Sequence, residues 1–174
     1  FVGATIFDGF KRHLNSALII KDSKVVEIIP EEKVDPETEQ IVLAGGLLTP
    51  GFVDLQVNGG GGVLFNDNPS LENLKTICEA HAKLGSTSIM PTLISDSPEL
   101  NKQAISAITD ALDQQVNGLI GLHLEGPHLA LARKGAHKED FIRPMKEFDC
   151  LELESVANKV PNLMLTIAPE AVSS

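Results

Sequence analysis

The sequence predicts an α/β fold built on a parallel sheet, with a small β-rich unit ahead of it. Three observations carry this. Residues 1–49 read as short strands and turns. From Phe52 onward the pattern runs strand, helix, strand, helix, strand, helix, strand. Gly, Pro and capping Ser fall at the junctions. That alternation is the grammar of βα units.

In the first unit, Ala17–Ile20 and Val25–Ile29 flank the polar turn Lys21-Asp22-Ser23-Lys24, which makes a hairpin. Gln40–Leu43 and Leu47–Thr49 flank Gly45-Gly46, expected as another reversal. Pro30, Pro36 and the charges between them mark a surface loop. After Pro50-Gly51, Phe52–Val57 reads as a strand. Ser70 is a good N-cap for a helix carrying Leu71, Leu74, Ile77, Cys78, His81 and Leu84 at helical spacing, and Gly85 ends it. Ser88–Ile94 is a second strand. Ser97-Pro98-Glu99 combines a cap, a proline in the first turn and an acid at the positive dipole end. The helix continues through Leu100, Ala104, Ile105, Ile108, Ala111 and Leu112. Leu119–Leu124 is a third strand, Phe148–Ala157 a weaker helix and Leu163–Ala168 a fourth strand.

This order suits an open doubly wound sheet or a closed (β/α) barrel. A barrel needs eight strands and about 250 residues; here there are four strands in 174 residues. Ala168–Ser174 run straight off the fourth strand without a covering helix. An unfinished barrel is therefore the expectation.

Net charge −10 argues against a nucleic-acid partner, whose phosphates need Lys and Arg. Cys78 and Cys150 form no C-x-x-C, so neither a zinc ribbon nor a disulfide framework is expected, and two reduced thiols suit a cytoplasmic protein. No apolar run approaches the roughly 18 residues of a membrane span. No signal peptide is visible, although a chain opening on Phe1 weakens any argument from a missing leader.

The third strand holds the chemistry. In Gly121-Leu122-His123-Leu124-Glu125-Gly126-Pro127, Leu122 and Leu124 share one face, which meets the helices; Gly121, His123 and Glu125 share the other. Glu125 sits at the C-terminal end, where functional groups of parallel barrels collect. A carboxylate there suits a metal ligand or a general acid/base; otherwise it opens a surface turn. His123, one layer deeper, reads as a hydrogen-bonded core histidine. On the first strand Val53, Leu55 and Val57 face one way, and Asp54, Gln56 and Asn58 the other. Three polar side chains on an interior face need partners, so Gln56 and Asn58 read as site support.

Gly59–Gly62 reads as a flexible βα turn, since the P-loop pattern is absent. In the loop after Glu125, His137 can polarise a carbonyl or hydrogen-bond a substrate. Arg133, Lys134, Lys138 and Arg143 form either an anion-attracting or a merely solvated basic cluster. His13 is expected on the surface, and His128 has no assignment. No G-x-S-x-G or H-E-x-x-H occurs.

Pro50-Gly51-Phe52-Val53-Asp54 after a small β unit resembles the barrel entry of the amidohydrolase superfamily. Gln56 and Asn58 stand where many members carry metal-binding histidines. With Asn58–Gly62, Pro91-Thr92-Leu93, Gly121–Pro127, Lys134-Gly135-Ala136-His137 and Leu165–Glu170, the chain resembles the N-acetylglucosamine-6-phosphate deacetylase family, in its variant with one metal. The resemblance implies the first four strands of a (β/α)8 TIM-type barrel over 50–174, preceded by the N-terminal part of a small β-sandwich domain over 1–49. It implies that Glu125 binds a divalent metal, zinc first, with iron, cobalt, manganese or nickel as substitutes. Ala136 and His137 would contact substrate, with His137 polarising the acetyl carbonyl. The family reaction removes the N-acetyl group of N-acetylglucosamine 6-phosphate, releasing glucosamine 6-phosphate and acetate. Zinc can lower the pKa of bound water to about 7 and polarise an amide.

The family's remaining ligands, two histidines, and its general-base aspartate lie on later strands, so no catalytic residue is expected in this chain. Further phosphate contacts also lie downstream, one from a neighbouring subunit, which implies a homodimer or higher homo-oligomer of the full-length protein. The small-molecule partner is an amino-sugar phosphate; neither nucleic acid nor membrane is expected. The chain alone is expected to be inactive and to bind metal weakly or not at all. The competing readings are another amidohydrolase acting on a different amide or a cyclic substrate, a non-catalytic half-barrel or binding module, and an unrelated open α/β protein.

Overall fold

The computed structural model describes residues 1–172. They divide into two compact units, Phe1–Pro50 and the chain from Gly51 onward. Among the described residues no helix is long and apolar enough to cross a membrane.

The first unit is all β apart from one turn of 3-10 helix at Glu31–Lys33. Strands β1 (Thr5–Phe7) and β2 (Arg12–His13) pair antiparallel. Strands β3 (Ser16–Lys21) and β4 (Lys24–Pro30) form the expected hairpin. Its turn residues Asp22 and Ser23 have φ of 51° and 61°, the left-handed pair whose twist matches the flanking strands. The reversal expected at Gly45-Gly46 is not there. Val42 bridges Val2 in parallel, and β5 (Leu47–Leu48) pairs in parallel with β1. Both segments thus run the same way along one partner. The two glycines, at φ 82° and 84°, absorb extra length in a bulge. His13 is half-buried, with Nε2 2.7 Å from Asp8 Oδ2. That contact, joined by the Lys11 and Phe10 backbone N–H groups, holds the Asp8 carboxyl well below the usual carboxylate range.

In the second unit, β6 (Phe52–Val57) leads into the short strands β7 (Gly59–Gly60) and β8 (Val63–Leu64). The glycine run is therefore an antiparallel hairpin, with Gly61 and Gly62 at φ 62° and 87°. It lies against α1 (Leu71–Ala82), where His81 Nε2 meets the Gly59 carbonyl at 3.0 Å. The sequence reading as a flexible turn missed this order. Strand β9 (Ser86–Ile94), α2 (Pro98–Asp113), β10 (Leu122–Glu125), α3 (Glu147–Ala157) and β11 (Leu163–Thr166) follow. The Ser70 and Ser97 hydroxyls cap α1 and α2 as expected, accepting from Asn73 and Leu100 N–H. Pro169–Ala171 makes one 3-10 turn. The reading of the run to Ser174 as uncovered chain falls partly on Ser173 and Ser174, which lie outside the described residues.

Strands β6, β9, β10 and β11 are parallel, in the order β11-β10-β9-β6. Each new strand is laid beside its predecessor, always on the same side. A doubly wound sheet instead starts in the middle and reverses direction once; these strands contain no such reversal. Because βα crossovers share one hand, repeated steps in one direction put the helices on one face. Accordingly Leu74 and Ile77 of α1, Ile108 and Ala111 of α2 and Val156 of α3 join Ile89, Leu93, Leu122 and Leu124 in one buried cluster. Burying each large aliphatic contributes about 1.5–3 kcal/mol. The other face carries Thr92, His123, Glu125 and Thr166.

Alternation on β6 is weaker than the sequence suggested. Val57 is buried, but Val53 and Leu55 are exposed. The strand lies at the sheet edge, and its register against β9 shifts between Asp54 and Val57. A bulge of this kind re-aims the side chains that follow it.

Candidate functional site

The site forms where the strands end. Parallel alignment brings the last residues of β6, β9 and β10 to one rim. Glu125 closes β10, and Gly126, at φ 83°, turns the chain away into a cis Gly126–Pro127 bond. A side chain at 126 would strike Ser95 Oγ, so glycine is required there for space as well as backbone angle.

Three segments converge on the Glu125 carboxylate, which is about one-fifth exposed. Gln56 reaches over from β6 and donates Nε2–H to Oε2 at 3.1 Å. His137, buried in the loop after β10, places Nε2 3.7 Å from Oε1. The opposite ring nitrogen of His137 faces Ser95, just past β9. The Ser95 backbone N–H donates to Nδ1 at 3.2 Å, and the Ser95 hydroxyl lies 2.9 Å from it. The same hydroxyl lies 3.2 Å from the Glu125 carbonyl.

One layer below, His123 spans three strands. Its Nδ1 lies 3.0 Å from Thr92 Oγ1 on β9, and its Nε2 lies 2.8 Å from Thr166 Oγ1 on β11. It is only 2% exposed, and that burial pushes its pKa below the ordinary histidine value, partly opposed by Glu125. The expected core histidine is what the structure shows.

The other candidates separate. Ala136 is exposed beside buried His137. Asn58 is exposed at the end of β6, where its carbonyl accepts the Phe65 N–H; among the described residues its side chain makes no hydrogen bond. Asp54 turns its Oδ1 onto the Gln56 N–H at 3.1 Å. Of Asp54, Gln56 and Asn58, only the Gln56 side chain therefore reaches Glu125.

The basic cluster is not one patch. Arg143 forks onto buried Asp149 at 2.7 and 2.5 Å and stacks 5.3 Å over Phe148. Lys134 donates to the His137 carbonyl at 3.4 Å. Lys138 is solvated near Asp96, and Arg133 is exposed. His128, without assignment from sequence, is buried, donates Nδ1–H to the Arg143 carbonyl at 3.1 Å, and sits 4.0 Å from Asp149. The pair Arg143–Asp149 thus fastens the base of the loop that presents His137.

No family model matches the chain. It is 41% identical over 131 residues to the N-acetylgalactosamine-6-phosphate deacetylase of Shewanella sp. (strain ANA-3), covering 75% of this chain and 33% of that protein. It is 40% identical over 138 residues to the N-acetylglucosamine-6-phosphate deacetylase of Haemophilus influenzae, covering 77% of this chain and 36% of that protein. Among solved structures, N-acetylglucosamine-6-phosphate deacetylase from Pasteurella multocida superposes with a TM-score of 0.89 at 36% identity, over 94% of this chain and 43% of that one. The chain is homologous to the N-acetylglucosamine-6-phosphate deacetylases.

It spans about a third of the length of the curated relatives it matches. A further deacetylase homologue, a mutant from Mycobacterium smegmatis, was solved in complex with N-acetyl-D-glucosamine-6-phosphate and superposes with a TM-score of 0.79 at 28% identity, over 96% of this chain and 42% of that one.

Sequence reasoning missed Ser95 in this deacetylase homologue, as well as the Thr92–His123–Thr166 chain. It also missed Asn66, whose side-chain amide pairs with both the N–H and the carbonyl of Ile94. The signal for Ser95 was present. It lies just past the C-terminal end of a strand, the position that singled out Glu125. The Asn66 clamp has no comparable signal, because it arrives from a loop.

Proposed function

We propose that this chain forms the first half of a (β/α)8 amidohydrolase barrel, residues 50–174, preceded over 1–49 by part of a small β-sandwich. The full-length protein would hydrolyse the N-acetyl group of N-acetylglucosamine 6-phosphate to glucosamine 6-phosphate and acetate. The observation carrying this reading is the convergence of Glu125, Gln56 and His137, from three separate segments, at the C-terminal rim of the parallel sheet. That rim is where (β/α) barrels keep their chemistry.

In this reading Glu125 supplies one ligand to a divalent metal, with zinc the first choice. Gln56 orients the carboxylate by occupying one oxygen. His137 donates a hydrogen bond to the acetyl carbonyl oxygen, with Ala136 alongside. Zinc centres use three or four protein ligands, and no group of three His, Cys, Asp or Glu gathers among the described residues. These residues alone do not make a complete metal site. The complete set, and the general base, belong to the full-length enzyme, with homodimer or higher assembly and a cytoplasmic location part of the same proposal.

Similarity to the Shewanella enzyme favours the galactosamine epimer as a second reading of the substrate. The test is turnover by the full-length protein on both 6-phosphates, on unphosphorylated N-acetylglucosamine and on a cyclic amide. Turnover of a 6-phosphate, lost in Glu125→Ala, is expected. Preference for a cyclic or unphosphorylated amide would overturn the reading. The 174-residue chain alone, with added zinc, should show no turnover.

A further inference from the structure

His137 presents one nitrogen to Glu125 and the other to Ser95, and the Ser95 side decides where the ring proton sits. A neutral imidazole has two arrangements. In one, Nδ1 is the acceptor and takes the Ser95 backbone N–H at 3.2 Å. Nε2 then carries the proton and points it towards Glu125 Oε1, 3.7 Å away. In the other, Nδ1 carries the proton and gives it to Ser95 Oγ at 2.9 Å, while the hydroxyl proton goes to the Glu125 carbonyl at 3.2 Å.

The second arrangement has two faults. It sets the Ser95 N–H against another N–H, and it turns the Nε2 lone pair towards a carboxylate. Ser95 is 4% and His137 8% exposed, so solvent has little room to repair either. Buried backbone N–H groups are almost always paired. The first arrangement pairs the Ser95 N–H and turns the Nε2 proton, rather than a lone pair, towards the carboxylate; it also leaves the Ser95 hydroxyl proton free to serve Nδ1 or the Glu125 carbonyl.

We infer that Ser95 is a positioning residue, whose main-chain N–H holds His137 in the tautomer with its proton on Nε2, directed at Glu125 and the open rim. A serine just past β9 and a histidine in the loop after β10 are thereby joined in one hydrogen-bonded unit. In the proposed deacetylase reading, on which this consequence rests, His137 meets an acetyl oxygen as a ready donor with no proton to relocate. The tautomer itself requires neither substrate nor metal.

The test is nitrogen NMR of the uniformly labelled chain at about pH 8, where an ordinary imidazole is neutral. Ring-nitrogen shifts distinguish protonated from bare nitrogen, and an N–H···N bond transmits a measurable coupling between the two nitrogens. The expected result for His137 is a protonated Nε2 and a bare Nδ1 coupled to the Ser95 amide nitrogen. Ser95→Ala keeps the amide and should keep the tautomer; His137→Ala should abolish the coupling and speed exchange of the Ser95 amide. A protonated Nδ1 in the wild type, absence of the coupling, or a tautomer change in Ser95→Ala would each overturn the assignment. Unchanged ring shifts at His123 and His128 report that the variants remain folded. The wild-type spectrum decides without any variant, and it can fail while turnover succeeds, or the reverse.

Discussion

Replacing Arg143 by alanine should cost far more than a surface ion pair is worth. Asp149 is 4% exposed and accepts both arms of the Arg143 guanidinium, plus the Lys146 N–H at 2.7 Å. Removing the arginine strands a buried carboxylate with that N–H and His128, whose Nε2 is 4.0 Å away. Breaking one partner from a buried pair costs about 3–5 kcal/mol. The arginine side is 39% exposed, so water can enter and the lower end, about 3 kcal/mol, is expected. For a chain of this length that lowers Tm by roughly 6–12 °C. The loss should also depend on pH. The Arg143 hydrogen bond holds the Asp149 carboxyl below its usual value. Its stabilisation is therefore complete above the unfolded pKa and disappears as pH falls through the lower folded one. Thermal melts of wild type and Arg143→Ala by circular dichroism should differ most near neutrality, and the gap should narrow as pH falls below the unfolded carboxyl value of about 3.9. A difference within about 0.5 kcal/mol at neutral pH, the usual effect of a surface change, would refute the reasoning. So would a deficit that does not shrink in acid.

Three further outcomes follow from single contacts. His123 is held neutral by burial, with a folded pKa below the ordinary value, so the unfolded chain binds the extra proton first. Stability should be full above about pH 6.5 and decline as pH falls from there towards the folded value; in His123→Gln, melting followed against pH should lose that part of the slope. Buried Cys78 has its thiol pushed up to about 11 by burial, whereas Cys150 is exposed. Mass spectrometry after brief alkylation at neutral pH should find Cys150 modified and Cys78 only after denaturation; equal labelling would contradict this packing. Ser97→Ala removes the cap on α2 and should cost about 1 kcal/mol in urea titration, with m unchanged.

The second unit was largely legible because its local signals agree with its packing. Ser70 and Ser97 cap helices in both sequence and structure. The Leu122/Leu124 against His123/Glu125 alternation follows from strand geometry alone, and the structure puts the leucines under helices. Legibility ended where a contact is set by tertiary approach. Gly45-Gly46 looks the same in a reversal and in a bulge between two parallel pairings; only the partners, Val2 and β1, distinguish them. Gly59–Gly62 looks like a loose turn until the proximity of α1 is known. The basic cluster fell apart because Asp149, its strongest partner, sits in a helix that sequence reading rated weak.

The two faces of the sheet show why the strand order matters for the chemistry. With no reversal of strand order, the helices gather on one face, and the other must find different cover. On that face Thr92 is 0% and His123 2% exposed, a burial depth usually reserved for apolar groups. Such groups are tolerated because they are satisfied: each ring nitrogen of His123 meets a threonine hydroxyl, from the strands on either side. At Thr92 and His123 this face is as buried as a core, while Thr166 on β11 is exposed. The two bonds also tie β10 to its neighbours: moving β9 against it would break a buried hydrogen bond, and moving β11 a partly buried one. Glu125 stands one layer above that clamp, on the same strand as His123. The carboxylate that the proposed reaction depends on is thus carried by a strand tied to both neighbours, through its backbone and through His123. Such support from below is what a ligand or acid/base group needs to hold its geometry.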